Sequence, residues 1–377
     1  MTRRPPLPLL SAVLVHLAAA LPCAAGLSEP TVTFLRPYGG DLQSNATALD
    51  DTGMVIGRSY AAGGAGRTVG WRGTTGRPMR MAATSDPFAP NRLNNFGTMI
   101  GSAYPWGWSA AVFDESGTHP LFSPDYQYTP FADDLNDAGK IVGSARLSGG
   151  QRYAVAWTAE HQSRWLPDLS YGSRAEGINA RGDVAGTVVD RDGRDHPAVW
   201  ANDDALRVLP TPGWADGGSA TGINAGGRVI GNVHSAGDVT TPVLWDHGVL
   251  QTLPLLPGSH AAFPADINNA GLTVGSAYNA DGDPRAVLWE NGQIRDLNDF
   301  VPAGSDWKLL WAWQVNERNQ VIGWAERDGE QVGFLMSLPQ SAGPQAVPLP
   351  PAAVAALLVG PLLWVARRRL TRSQVEG

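Results

Sequence analysis

Seven times between Leu49 and Gly323 the chain repeats one phrase: an apolar residue, Asn or Asp, two variable residues, Gly, a short apolar run and Gly. The copies begin at Leu49, Leu93, Leu135, Ile178, Ile223, Ile267 and Val315, and Asn319 stands in the last copy where the first Gly belongs. Successive starts lie 44, 42, 43, 45, 44 and 48 residues apart. A period of about 43 residues is the signature of a solenoid, propeller or array of supersecondary units.

Each period carries four short apolar runs. In the sixth these are 265–268, 272–277, 285–289 and 293–297, all of strand length and none with helical spacing. Four strands per repeat is a propeller blade. The third run recurs at 110–113, 154–157, 197–200, 242–245, 285–289 and 332–335, apolar on both faces, as a strand packed between neighbouring blades should be. In the turn, the Asn side chain can bond the backbone two residues on, and Gly supplies the positive φ of a tight hairpin. The repeated Asn is therefore read as structural.

The seventh unit lacks a fourth strand, and 31–35 precedes the first unit with the matching type. A strand lent by the N-terminus would close the ring and remove its exposed edges. The expected architecture is an all-β, seven-bladed β-propeller over residues 27–338, closed by an N-terminal strand and followed by a single C-terminal apolar helix.

The ends of the chain point to export. Arg3 and Arg4 precede an apolar stretch, 7–21, and then small residues near Ala25 and Gly26, the layout of a secretory signal peptide over 1–26. Pro5 and Pro6 speak against twin-arginine export, and Pro22 before Cys23 against a lipidated cysteine. The mature chain then has no cysteine, so it has no thiol chemistry and no cysteine-ligated zinc. Residues 339–351 read as a Pro-rich linker, and 352–377 as an apolar anchor with a basic stop at Arg367, Arg368 and Arg369. The apolar run 352–366 is short for the ~20 residues a spanning helix needs, and the basic cluster places its far end in the cytoplasm.

Val347, Pro348, Leu349 and Pro350, followed by Ala-rich apolar sequence and the Arg triplet, resemble the VPLPA-CTERM sorting signal, a relative of PEP-CTERM tails. Pro351 departs from the pattern just before Ala352. The resemblance implies recognition of the tail by an exosortase at the inner membrane of a Gram-negative bacterium, and delivery to the cell surface or matrix. The anchor would be transient if the tail is cleaved and permanent if it is not. The repeats resemble the bacterial extracellular HAF family, with HPAVW at 196–200 the nearest copy of its name-giving segment. That resemblance implies an extracellular location and no defined activity.

The region between the two terminal segments holds 22 basic and 34 acidic residues, a net charge near −12, which gives it no attraction for nucleic acid. Its six histidines are scattered, with no HExxH, nucleophile elbow or phosphate-binding loop. No pair of acids is set apart from the repeat background. Asp190, Asp192 and Asp195, and Asp281 and Asp283, are candidate calcium loops, against a reading as plain hairpin turns. No other cofactor is implied.

In a four-stranded blade, the connections after strands two and four open on one side of the ring and the Asn turns on the other. The Asn side is short and monotonous. The other carries aromatics, among them Trp106, Trp108, Tyr126, Tyr128, Trp214 and Tyr278, with Asp residues between them. Rings beside hydrogen-bond acceptors suit sugars or a protein surface. The expected function is that of a non-catalytic binding or matrix protein, with exopolysaccharide or a cell-surface protein as partner. The alternatives are a propeller enzyme acting on extracellular polysaccharide and a structural spacer.

Overall fold

The computed structural model describes residues 29–339, apart from 65, 74–75, 81–87, 104–108, 126–127 and 236–238. The signal segment, the sorting residues Val347, Pro348, Leu349, Pro350, Arg367, Arg368 and Arg369, and the apolar helix expected at 352–366 lie outside the described residues. Among the described residues no helix is long and apolar enough to cross a membrane.

Seven four-stranded antiparallel sheets are arranged as the repeats require. Their innermost strands are Gln43–Leu49, Phe88–Leu93, Thr129–Leu135, Ser173–Ile178, Gly217–Ile223, Ser259–Ile267 and Lys308–Val315, here blades 1 to 7. The N-terminal strand Thr31–Leu35 pairs with Glu330–Ser337 and becomes the outermost strand of blade 7. The expected closure is therefore present, and the seal is made of backbone hydrogen bonds.

Adjacent blades pack through apolar faces. Ile100 and Val112 of blade 2 join Leu135, Ile141 and Trp157 of blade 3 in one cluster. At the seam, Leu35, Ile322 and Leu335 of blade 7 pack on Val55 and Trp71 of blade 1. Trp71, Trp157, Trp200, Trp245 and Trp289 end the third strand of five blades and are fully buried. Burying an indole leaves its N–H needing an acceptor. Each finds one in the chain leaving the previous blade: the carbonyls of Arg36, Phe122, Pro167, Pro210 and Pro254, at 2.6–3.0 Å. Phe113 and Met336 hold the equivalent places in blades 2 and 7.

The seven phrases form the turn between the first and second strands. The first Gly of each has positive φ, and Asn319 takes the same left-handed conformation at φ 57°, a region Asn tolerates. The Asn oxygen accepts from the backbone two or four residues on, as Asn224 does from Arg228. Its amide does something the sequence did not reveal. It donates to the backbone carbonyl of the corresponding Asn in the next blade: Asn94 to Asn136, Asn136 to Asn179, Asn179 to Asn224, Asn224 to Asn268 and Asn268 to Asn316, at 3.0–3.4 Å. Asn316 closes onto Asp50.

The second Gly answers a different demand. In every blade the inner strand carries a β-bulge just before the turn, as between Ala132 and Asp134 or between Ala220 and Gly222. A Cβ on the glycine opposite would overlap a carbonyl of the bulged strand: Asn45 against Gly57, Ser219 against Gly231, Trp311 against Gly323. Glycine is required there by close backbone approach.

Candidate functional site

A β-bulge bends its strand and re-aims side chains. Here it breaks the in-out alternation of the inner strands, so two consecutive residues stand near the axis in each blade. These pairs are Thr47–Ala48, Asn91–Arg92, Asp133–Asp134, Glu176–Gly177, Thr221–Gly222, Ala265–Asp266 and Trp313–Gln314. Unlike the turn residues, they do not repeat.

At the Asn-turn end nine of them, Arg92, Asp134, Glu176, Gly177, Thr221, Gly222, Ala265, Asp266 and Gln314, line an axial cavity of about 230 Å³. One wall is polar. Asp134 accepts from the Ile178 amide and Asp266 from the Val315 amide, at 2.8 and 2.9 Å. Gln314 accepts from the Leu49 amide at 2.9 Å. Each contact crosses from one blade to the next. Arg92 approaches Asp134 at 3.6 Å. The other wall is cut back, with Gly177, Gly222, Ala180 and Ala225 where the other blades carry side chains. Around the rim, Asn95 donates to both Asp51 and Asp137, and the Asn269 and Glu317 amides continue the chain to Glu317 and Asp51.

Burial makes these acids hard to ionise. It pushes Asp134 up to about 6 against the pull of Arg92, Asp133 to about 6 and Glu176 to about 7. Asp266 and Glu317 are raised for the same reason. Enclosed carboxylates with perturbed acidity mark a place worth testing for function. The sequence set no pair of acids apart from the repeat background and read the Asn-turn side as short and monotonous; the structure places Asp134, Glu176 and Asp266 on the wall of a cavity there. The distinguishing signal lies two and three residues before each repeated Asn. It becomes visible once the bulge is known to turn both residues inward.

On the opposite side, among the described residues, the aromatics do not form one face. Phe88 is core and Tyr128 packs partly buried against the blade 2–3 core. Trp307 stacks on Phe34 with centroids 4.5 Å apart. Trp214 is 51% exposed on a loop of its own. Trp106, Trp108 and Tyr126 lie outside the described residues. Tyr278 belongs to a concentration at blades 6 and 7, where its hydroxyl accepts from Trp311 Nε1 at 2.8 Å and its ring meets Phe263 edge-on. Trp311 stacks in turn on Trp324 and Trp313. Beside it runs a groove of about 630 Å³ lined by Trp307, Trp311, Asp283, Asp296, Glu326, Lys308 and Arg285.

The candidate calcium loops are occupied by turn bonds. Asp190 accepts from the Asp192 and Arg194 amides and contacts His196, while Asp195 pairs with Arg174. Asn279 accepts from Asp281 and Asp283. Among the described residues no group of three or more His, Cys, Asp and Glu is placed to hold a metal ion. His119 and His161, distant in sequence, meet at 5.9 Å, and Ser116 lies 2.7 Å from His119 Nε2. Asp114 touches that same nitrogen and the Ser116 hydroxyl, so it does not orient the imidazole as a triad carboxylate must.

No family model matches the chain, and no curated protein matches it in sequence. Solved structures do resemble it. Streptogramin B lyase aligns with a TM-score of 0.51 at 12% identity, over 82% of this chain and 98% of that one. A puromycin-hydrolyzing peptidase of Mycobacterium tuberculosis aligns with a TM-score of 0.53 at 13% identity, over 83% of this chain and 51% of that one. Puromycin hydrolase gives 0.52 at 14%, over 78% of this chain and 52% of that one. This chain thus spans about half the length of the two hydrolases. At such identities the likeness is one of fold, and the chain is similar to these proteins as a propeller.

Proposed function

We propose that this is an exported, non-catalytic binding protein that engages extracellular polysaccharide through the groove between blades 6 and 7. The observation that carries the reading is the pairing there of stacked rings with acceptors. Trp307 and Trp311 line the groove beside Asp283, Glu326 and the Asp296–Arg285 ion pair, with Lys308 at hand for acidic sugars. Aromatic faces pack on the C–H surfaces of a sugar ring, while carboxylates take its hydroxyls. The Tyr278–Trp311 hydrogen bond holds the rings in place before a ligand arrives, which lowers the entropic cost of binding.

Display outside the cell follows from the signal-like N-terminus and the sorting-type tail. On this reading the exosortase and inner membrane are partners of the tail, and the propeller is the part presented to the surface or matrix. Co-sedimentation of the purified protein with the producing cell's exopolysaccharide tests the proposal. Trp311→Ala should abolish most of the binding, and Trp106→Ala/Trp108→Ala should reduce it if that loop adds to the groove. No binding by the intact protein would defeat the reading. The enclosed carboxylates on the axis favour one alternative, a polysaccharide-cleaving enzyme; new reducing ends in the same incubation would establish it.

A further inference from the structure

On the face opposite the Asn turns, a pocket of about 410 Å³ lies between blades 3 and 4. Arg146, Arg152 and Arg174 line it, and among the described residues no acid does, although acids outnumber bases 35 to 28 in the sequence. Arg146 and Arg152 are direct partners across the strands Ile141–Arg146 and Arg152–Trp157. Their side chains therefore leave the sheet on the same side, about 5 Å apart at Cβ. That side faces blade 4, because Val142, Ala154 and Ala156, which share it by alternation, pack with Ala175 and Val188 of that blade. Like charges set directly opposite destabilise a strand pair. Nothing nearby offsets this one: among the described residues no carboxylate lies within ion-pairing distance of Arg146 or Arg152. Arg152 lies over the Phe131 ring, 4.7 Å from its centroid, and Arg174 is taken by Asp195 at 3.3 Å. Asp133 and Glu176 attract Arg152 from the axis, but neither lines the pocket.

We propose that this pocket binds a phosphate group, held between the guanidinium forks of Arg146 and Arg152. Two cations without carboxylate partners match the nearly two negative charges of a phosphomonoester at neutral pH, and its binding relieves their mutual repulsion. Each fork can take two oxygens of such an anion at once. A carboxylate carries one charge and two oxygens, which a single fork satisfies. The pocket falls within the usual volume range of small-ligand sites, so it has room for the group that bears the phosphate. Tyr171, 46% exposed at its rim, offers a ring to the C–H face of a sugar. Free phosphate and a sugar phosphate share the required chemistry. The pocket occupies a different sector of the ring from the groove between blades 6 and 7 and stands independently of the glycan reading.

Calorimetric titration of the intact protein with sodium phosphate and with glucose 1-phosphate tests this, using glucose and sodium glucuronate as the neutral and carboxylate counterparts. At least one phosphate compound should bind, glucose should not, and glucuronate should bind about tenfold more weakly or worse. Tighter binding of the ester assigns the pocket to a sugar phosphate; tighter binding of the bare ion assigns it to free phosphate. Arg146→Gln should weaken phosphate binding roughly tenfold or more, the worth of a hydrogen bond to a charged group. The same variant should melt no lower than the wild type, because it removes one of two opposed charges, so lost binding would not reflect lost folding. Arg146→Lys keeps the charge without the fork and should not recover wild-type affinity. Absence of binding by both phosphate compounds, equally tight binding of glucose or glucuronate, or full affinity in either Arg146 variant would each overturn the proposal.

Discussion

The Nδ2 of Asn316 donates to the backbone carbonyl of Asp50 at 2.8 Å, joining blade 7 to blade 1 across 266 residues of sequence. It belongs to a ring of amide-to-carbonyl contacts that bridges six of the seven blade junctions. Asp50 is the exception, because a carboxylate has no N–H to give to the Asn94 carbonyl.

Asp50→Asn should supply the missing contact. The oxygen that accepts from the Thr52 and Met54 amides would be kept, and a donor gained toward blade 2. The expected gain is about 1 kcal/mol, the net value of one hydrogen bond. Chemical denaturation of the two proteins side by side measures it; a midpoint at or below that of the wild type would show that the ring of amides contributes no stability.

Gly231→Ala should be among the most damaging single changes. The added methyl would overlap the Ser219 carbonyl on the bulged inner strand, and no side-chain rotation relieves a backbone clash. A loss of about 3 kcal/mol or more is expected. Gly282→Ala, at positive φ but in open space, should cost only the backbone strain of about 1 kcal/mol. Comparing the two separates close approach from conformational freedom.

Trp245→Phe removes the indole N–H that reaches the Pro210 carbonyl at 2.8 Å and leaves a void between blades 4 and 5. About 2–4 kcal/mol should be lost. Hydrogen exchange would show the deprotection centred on that blade junction; a uniform change around the ring would contradict the local role given to the indole.

Stability should fall as the solution is made alkaline. Asp133, Asp134 and Glu176 titrate near 6, 6 and 7 in the fold, because burial outweighs the pull of Arg92, Arg152 and Arg174, and Asp195 and Asp266 add to the repulsion. Their unfolded values lie near 4. The fold therefore favours their neutral forms: the stabilisation is complete below about pH 4 and is lost as pH rises through 6 to 7. Opposing this, Asp190, lowered to about 2 by His196 and the Arg194 amide, favours the fold above about pH 4. Melting temperature should pass through a maximum at about pH 4–5 and drop by several degrees toward pH 8. Glu176→Gln should flatten the alkaline side of that curve.

The ring itself was legible in the sequence. Seven Asn turns at a fixed period announced the blades, and a strand-like 31–35 before an incomplete seventh unit announced the seal. Asn319 was readable too, since Asn is the residue that best replaces Gly in the left-handed region, and in the fold its Oδ1 also accepts from Asn268 at 2.8 Å. The cavity was not legible. Glu176, Asp134 and Asp266 occupy positions where the repeats differ, so a search for recurrence passes over them. Their place on the cavity wall depends on a bulge that shifts strand parity by one. Among the described residues the aromatics show a related difficulty. Loop position does not separate a ring that starts an inner strand, such as Phe88, from one that borders a groove, such as Trp311.

The pairing of Thr31–Leu35 with Glu330–Ser337 has a mechanical consequence. Tension applied to the chain beyond Pro339 enters the ring through Glu330–Ser337, which is hydrogen-bonded along both edges, to Thr31–Leu35 on one side and Gln320–Arg327 on the other. A pull along that strand loads both ladders in shear instead of peeling a free edge. A propeller tethered by its C-terminal end would therefore resist drag as a unit, yielding only when the first residues of the fold let go of the last.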